Sequence, residues 1–201
     1  MAEDTIHTTH SKNPFATFAP QPVGMTFETQ EEGEKIVLLL RAHPLTLVPK
    51  VIIVILLILG PFLLPALLTL LNFDLGDFLN GPQVFLVGVF WYLLTFGYAF
   101  YQFIFWYFNV YLLTNERVVD IDFKGILHKE IAYARYAQIQ DVSPKTIGFF
   151  GTFFHFGNVY VQTAAERPEF EFHHVPRPDM VAQEILEQIR LEESEKPGEI
   201  A

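Results

Sequence analysis

The sequence predicts an α+β membrane protein, in which two transmembrane helices are followed by an antiparallel β domain with a helix at its C-terminal end. Residues 51–71 and 84–108 contain no charged side chain, and each stretch is long enough to cross a bilayer. From residue 110 onward the apolar runs become short and alternate with polar residues, which is typical of β-strands. The chain therefore combines a membrane hairpin with a folded domain.

Charge and composition exclude several classes of protein. The net charge is −10, with 13 lysine and arginine residues against 23 acidic residues. A nucleic-acid partner is not expected, because a phosphate backbone is held mainly by clustered basic residues. The chain has no cysteine, which excludes a disulfide framework, a thiolate metal site and a cysteine nucleophile.

The segment before the first apolar stretch is polar and divides into two parts. Residues 1–25 contain scattered proline and glycine and predict a disordered N-terminal tail, and residues 26–47 predict a short cytoplasmic lead-in. No apolar run follows a basic start, so we expect no signal peptide.

Residues 48–108 are predicted to form a two-helix transmembrane hairpin with an external loop at residues 72–83. At about 1.5 Å per residue the first span reaches roughly 31 Å, which matches about 30 Å of hydrocarbon. Pro61 and Pro65 predict a kink near Gly60. The second span carries aromatic residues towards both ends, where the headgroup region favours them. These residues are Trp91, Tyr92, Trp106 and Tyr107.

A stripe of small and weakly polar residues runs along the second span at helical spacing. Its members are Gly88, Thr95, Ala99 and Gln102. Such a stripe lets a neighbouring helix approach closely. The first span is the expected neighbour, and a second copy of the chain is the alternative.

The distribution of basic residues predicts the orientation of a multi-pass protein in the cell membrane. Six basic residues flank the hairpin, whereas the loop at residues 72–83 contains none. The six are Lys35, Arg41, Lys50, Arg117, Lys124 and Lys129. The positive-inside rule therefore places both termini in the cytoplasm. Neither span contains a charged group, so no ion pathway is expected.

Residues 109–191 are predicted to form the β domain. Val119, Ile121 and Phe123 share one face of a strand, and similar alternating stretches recur up to residue 172. Residues 178–191 have the apolar spacing of a helix that packs against a sheet, with Glu184 predicted to face water. Residues 192–201 are predicted to be a polar tail.

Several motifs occur in a definite order around the two spans. Glu34 and the RAHP sequence at residues 41–44 precede the first span, and YLLTNERV at residues 111–118 directly follows the second. IQDV at residues 139–142 and the glycine- and aromatic-rich residues 148–157 come next. Together they resemble the bacterial pleckstrin-homology (PH) domain family of membrane proteins, of the YdbS-like type. The resemblance implies a PH-like domain of two near-orthogonal antiparallel sheets that a C-terminal helix closes.

The resemblance raises the question of phosphoinositide binding, which PH-like folds often perform with a basic loop between their first two strands. The corresponding turn here, residues 114–117, holds Arg117 beside Glu116, and residues 112–201 carry nine basic against fifteen acidic residues. An acidic domain is repelled by an anionic leaflet, so we expect no strong phosphoinositide binding.

No metal site, cofactor or catalytic centre is predicted. His173 and His174 are adjacent, so on a strand they point to opposite faces and do not readily ligate one ion. Asp120 and Asp122 fit the polar face of a strand, and no convergent histidine, serine or lysine completes a catalytic set.

Residues 147–157 contain five phenylalanines in eleven positions, more than one face of a strand needs. Burial in the core is the favoured interpretation. The alternative is exposure on a surface turn that contacts the membrane or a protein partner. The residues in question are Phe149, Phe150, Phe153 and Phe154.

The expected function is that of a non-enzymatic, membrane-anchored PH-like binding or scaffolding module at the cytoplasmic face. Its expected partners are the lipid bilayer and either another protein or a second copy of the chain. Two alternatives stay open. One is a membrane-surface or lipid sensor that uses the aromatic segment, and the other is an accessory subunit of a transport or secretion complex.

The orientation can be tested with single cysteines, because the chain has none of its own. We expect an impermeant thiol reagent, added to intact cells, to label Asp77→Cys and not Lys196→Cys, since the positive-inside rule places only the loop outside. Permeabilised cells, in which both positions should react, are the control. Labelling of Lys196→Cys alone in intact cells would reverse the predicted orientation.

Overall fold

The chain forms two compact units in the computed structural model. A β domain combines Met1–His43 with Tyr107–Ala201, and a pair of helices occupies Pro44–Trp106. The helices are α1 (Val48–Leu70), which a one-turn 3-10 helix precedes, and α2 (Gly81–Phe108). The structure describes residues 11–72, 79–125, 128–164 and 169–195.

Among the described residues, the β domain has eight strands in two antiparallel sheets. The five-stranded sheet contains, in spatial order, β1 (Phe18–Pro20), β2 (Ile36–Arg41), β3 (Val110–Thr114), β4 (Arg117–Gly125) and β5 (His128–Arg135). The three-stranded sheet contains β6 (Ile139–Thr146), β7 (Phe156–Thr163) and β8 (Glu169–Pro176). A short helix, α3 (Gly148–Phe154), joins β6 to β7, and α4 (Pro178–Glu195) follows β8. The predicted α+β fold with antiparallel sheets and a C-terminal helix is confirmed.

The two strands that flank the helix pair in sequence are neighbours in the sheet. β2 and β3 pair antiparallel, with Arg41 opposite Val110 and Leu39 opposite Leu112. The helix pair is therefore an insertion between two adjacent strands of the β domain.

The β domain begins earlier in the chain than the predicted boundary at residue 109. Residues 26–47, predicted to be a lead-in, contain β2, and the predicted disordered tail contains β1, whose Ala19 is only 2% exposed. The structure corrects both predictions for the described residues. β1 has only three residues, and β2 is apolar on both faces, because Leu38 and Leu40 face one core and Leu39 faces the other. Neither strand therefore shows the alternation of apolar and polar residues that indicates a half-buried strand. Residues 1–10, 73–78 and 196–201, which belong to the predicted tail, loop and C-terminal tail, lie outside the described residues.

Alternation along the strands gives the five-stranded sheet two buried faces. Leu38 and Leu40 face the main core, which also receives apolar side chains from the three-stranded sheet and from α4. Leu39, between them, faces the opposite side. There it packs with Val119 and Ile121 under a cover from the N-terminal segment. The covering residues are Ala16, Met25 and Phe27.

Helix α4 packs on the main core through the apolar side that the sequence predicted. Val181 and Ile185 are fully buried. Glu184, predicted to face water, is also buried, and its carboxylate accepts a 2.9 Å hydrogen bond from the side-chain amide of Gln188. Glu184 is buried because the side of α4 that packs on the core is wider than its stripe of apolar residues and includes Glu184 and Gln188.

A buried ion pair fastens the N-terminal segment to the sheet. The Arg117 guanidinium donates to both carboxylate oxygens of Glu34, from Nε at 3.0 Å and from Nη2 at 2.9 Å. Nη2 also donates to the Thr29 carbonyl oxygen at 2.6 Å, and the guanidinium lies 5.1 Å from the ring centroid of Tyr133. Such two-pronged, charge-assisted bonding is among the stronger polar contacts in proteins.

The pKa of Glu34 depends on this arrangement. Burial favours the neutral carboxyl, but hydrogen bonds from Arg117 and from the backbone of Glu31, together with the Arg117 charge, lower the pKa below its ordinary value. A carboxyl with a lowered pKa stabilises the fold above its unfolded-state pKa, and this contribution is lost as the pH falls through the folded-state pKa. The β domain should therefore lose stability under acid conditions.

The two helices meet at a gap in the hydrogen bonding of α1. Pro61 has no N–H, so the carbonyl of Leu57, four residues earlier, lacks its usual helical partner. The indole Nε1–H of Trp91 donates to this carbonyl at 2.7 Å. Gly60 makes the approach possible, because a Cβ there would lie 2.8 Å from the Trp91 ring. Trp91, which the sequence predicted to lie in the headgroup region, thus forms a hydrogen bond with α1.

Within the described residues, α1 and α2 are long and apolar enough to cross a membrane, by length and composition alone. Their side chains are largely uncovered by the rest of the protein. A buried core helix of a water-soluble protein would not show this exposure.

Removing one partner of the buried ion pair should destabilise the β domain. Glu34→Ala leaves the Arg117 charge buried without its partner, so we expect the free energy of unfolding to fall by about 3–5 kcal/mol. Glu31→Ala is the matched control, because Glu31 is half exposed and its carboxylate lies 3.3 Å from Arg117. An exposed partner of this kind should contribute at most about 1 kcal/mol. Equal losses in denaturant unfolding of the detergent-solubilised chain would contradict the assignment.

Candidate functional site

The connection between β6 and β7 is a two-turn helix instead of a tight turn. Ile147 has extended backbone, Gly148 adopts a positive φ of +69°, and the helix α3 runs from there to Phe154. His155 ends the helix in the left-handed conformation with φ +55°. A positive φ costs glycine almost nothing but is uncommon for histidine.

Helix α3 turns its glycine side towards the β domain. Gly151 is buried, and a Cβ at this position would lie 2.9 Å from the carbonyl oxygen of Phe156 in β7. No side chain therefore fits on the inner side of the helix at this point. Because the inner position is a glycine, the helix lies flush on the strand and its large side chains point elsewhere.

The four phenylalanines of α3 form an exposed aromatic face. Phe149, Phe150, Phe153 and Phe154 are 77%, 64%, 67% and 42% exposed. Their rings contact one another, with centroids 5.8 Å apart for Phe149 and Phe150 and 4.9 Å apart for Phe153 and Phe154. The favoured interpretation, burial of these rings in the core, is therefore wrong. Their role as a membrane or partner contact stays a proposal.

A groove of about 900 Å³ runs beside the aromatic face. Its polar and charged walls come from the start of α4, the end of α3 and the end of the segment that follows β2. They include Arg177, Asp179, His155, His43 and Thr152. Phe154 lines the same groove, so the aromatic face and the groove adjoin. Sequence reasoning missed this groove because its walls come from distant segments.

Backbone strain is concentrated around this groove. His155, His174 and Arg177 all have positive φ values, of 55°, 52° and 51°. The backbone N–H of Arg177 donates to the carbonyl of His155 at 2.8 Å, which links the ends of α3 and β8. Non-glycine residues in this conformation cost energy, and such residues cluster at functional sites.

Two of the histidines here belong to an aromatic stack. The His43 ring stacks on Phe156 at a centroid distance of 5.0 Å, and Phe156 also contacts His174. Burial lowers the pKa of His43, and burial followed by the neighbouring His173 lowers the pKa of His174. In the part of the chain that the structure describes, no three metal-ligating side chains come together.

The turn at residues 114–117 corresponds to the loop that binds phosphoinositides in other PH-like folds, but its basic side chain is buried. Arg117, which follows this turn, is 5% exposed and is held by Glu34. The acidic residues of the next strand are likewise engaged, since Asp122 accepts a 3.0 Å hydrogen bond from Asn109. Asp120 is largely buried.

The four residues of the predicted packing stripe on α2 differ in burial. Thr95 is buried, and its hydroxyl donates to the Trp91 carbonyl at 2.9 Å. Ala99 and Gln102 are half-buried. A Cβ on Gly88 would meet nothing within 4 Å, so this glycine does not create the close approach.

Comparison with known proteins supports one family. Residues 37–189 match the family model described as "Bacterial PH domain". The matched region contains the strands on both sides of the helix pair, the helix pair itself and most of α4. Neither curated proteins nor solved structures gave a match.

The exposure of the aromatic face leads to a stability prediction. We expect the combined Phe149→Ser and Phe150→Ser change to alter the free energy of unfolding by less than about 1 kcal/mol, because surface substitutions have small effects. Phe172→Ser is the control for a buried ring, since Phe172 is fully buried in β8. It should cost at least about 3 kcal/mol. Comparable losses in the two variants would place the α3 rings in the core.

Proposed function

The chain belongs to the bacterial PH domain family, and on that premise we propose that it is a non-enzymatic binding or scaffolding module anchored at the cytoplasmic face of the cell membrane. The order of the motifs around α1 and α2 supports the YdbS-like type within the family. The two apolar helices are the proposed anchor, and the β domain is the proposed binding module.

The observation that carries this proposal is the insertion of the helix pair between two paired strands. β2 ends at Arg41 and α1 begins at Val48, while α2 ends at Phe108 and β3 begins at Val110. Both connections are short, and the β2–β3 hydrogen bonds hold their ends together. The proposed anchor is therefore joined to the β domain by two chain connections that start from paired strands of the sheet.

Arg41 reinforces the point where the chain leaves the sheet. Its Nε donates to the carbonyl of Tyr107 at 2.9 Å and its Nη1 to the carbonyl of Ala16 at 2.8 Å. The guanidinium also lies 4.6 Å from the Tyr107 ring centroid, within the range of a cation–π contact. A cation fixed at this exit agrees with the cytoplasmic orientation proposed from the basic residues.

The binding role is proposed for a protein partner or a second copy, with the bilayer as a further contact. The acidic charge of the domain and the occupied Arg117 argue against an anionic headgroup held at the turn after β3. The exposed aromatic face favours a second candidate function, that of a membrane-surface sensor.

The anchoring can be tested by removing the helix pair. We expect the full chain to stay in the membrane pellet after alkaline extraction. Replacing residues 44–106 with a short glycine-serine linker should release a folded domain, because Arg41 and Val110 are already paired. Circular dichroism should then show β structure with one helix. Extraction of the full chain at alkaline pH would contradict membrane anchoring.

Purification of the full chain in mild detergent tests whether its partner is a protein, a second copy or lipid. A protein that copurifies in a fixed ratio, or a defined oligomer of the chain, supports scaffolding. Copurified lipid without any protein supports the sensor.

A further inference from the structure

We propose that the aromatic face of α3 inserts into the headgroup region of the bilayer that α1 and α2 cross, as a second membrane contact of the β domain. This inference rests on the proposed membrane anchoring. It assigns the bilayer as the partner of the aromatic face, which is exposed in the β domain. The rings concerned are Phe149, Phe150, Phe153 and Phe154.

Helix α3 lies beside the residue at which the chain leaves the β domain. Phe154 and His43 line the same groove, and His43 is the last residue of the domain before the chain enters the helix pair at Pro44. The aromatic face therefore lies at the end of the domain from which the chain leaves for the proposed anchor. The chain connection from this end of the domain to the proposed anchor is short, since α1 begins at Val48.

The segment that contains α3 differs in charge from the rest of the chain. The chain has 23 acidic residues, yet none lies between Asp141 and Glu166. This segment contains α3 together with the exposed Lys145. In the adjoining groove Arg177 accompanies Asp179, so the groove adds no net negative charge. The aromatic face thus lacks the charges that repel the rest of this acidic domain from anionic lipid.

The aromatic face is small compared with a protein interface. Because Gly151 holds the helix flush against β7, the rings form a small, shallow ridge. At about 200 Å² for a fully exposed phenylalanine, four rings of these exposures offer on the order of 500 Å². A stable protein interface usually needs about 800 Å² on each partner. A contact with the membrane surface has no such requirement, since apolar side chains such as phenylalanine are buried at the boundary between headgroups and acyl chains.

Site-specific quenching in the full chain tests the proposal. Phe153→Cys is labelled with a bimane fluorophore, and the protein is reconstituted into vesicles of phosphatidylethanolamine and phosphatidylglycerol with brominated acyl chains. Arg190→Cys on the exposed side of α4 is the reference position. We expect quenching at position 153 to be at least about twofold stronger than at position 190, because interfacial groups lie at the acyl boundary.

Ring replacement shows whether the phenylalanines cause the docking. Phe149→Ser combined with Phe150→Ser should reduce the quenching at position 153 to the level of position 190. Leu186→Ser combined with Leu191→Ser is the matched control, because both leucines are exposed on α4. It should leave the quenching unchanged.

Thr152→Cys, an exposed position beside Phe153, provides a second labelling site in the same helix.

Three outcomes would overturn the inference while leaving the anchoring intact. One is equal quenching at positions 153 and 190 in protein that resists alkaline extraction. Another is quenching at position 153 that survives the double serine change. The third is disulfide cross-linking between two copies of the unlabelled Phe153→Cys variant without lipid quenching of the labelled one, which assigns the face to self-association. Failure of the anchoring appears separately, as loss of the chain from the vesicle pellet.

Discussion

The pairing of β2 with β3 is the constraint on which the rest of the structure depends. These strands are joined by the helix pair, so their hydrogen bonds must form across a long stretch of chain. Once they form, β1 can add to one side and β4 to the other, and both faces of the sheet acquire the leucines that build the two cores. An apolar hairpin that entered a membrane would bring its two ends together and so lower the entropy cost of this pairing.

Two arginines hold the segments that this pairing brings together. Arg117 ties Glu34, just before β2, to the start of β4, and Arg41 ties the end of β2 to Tyr107 and to Ala16. Both guanidiniums are buried and make several hydrogen bonds each, which offsets the cost of removing them from water. Arg41 and Arg117, on which the predicted membrane orientation partly depends, thus also form hydrogen bonds within the β domain. The same side chains are therefore poor candidates for binding an anionic ligand.

Some elements were predictable because their signal is local. The alternation around Val119 and Ile121 and the helical spacing of Val181 and Ile185 correspond to β4 and α4. β1 has only three residues and β2 is buried on both faces, so neither strand shows the alternation that indicates a half-buried strand. The direction of the α3 rings was equally hidden, because the spacing of phenylalanines is the same whether they face in or out. Gly151 was the signal that could have decided it, as a helix packed tightly on its glycine side must turn its large residues outward.

An anchor whose chain connections start from two paired strands changes what a weak surface contact can achieve. A free domain that docks on a membrane must lose translational freedom and needs a basic patch or a large apolar surface to compensate. On the proposed anchoring, α1 and α2 have already confined the β domain to the bilayer, so any further contact is in effect intramolecular. A ring moved fully out of water contributes about 1.5–3 kcal/mol, and even two rings then suffice to orient the domain. An acidic domain with a small aromatic face is consistent with this mode of attachment. On the proposed anchoring, α1 and α2 supply the affinity for the membrane, and the aromatic face has only to fix the orientation of the domain.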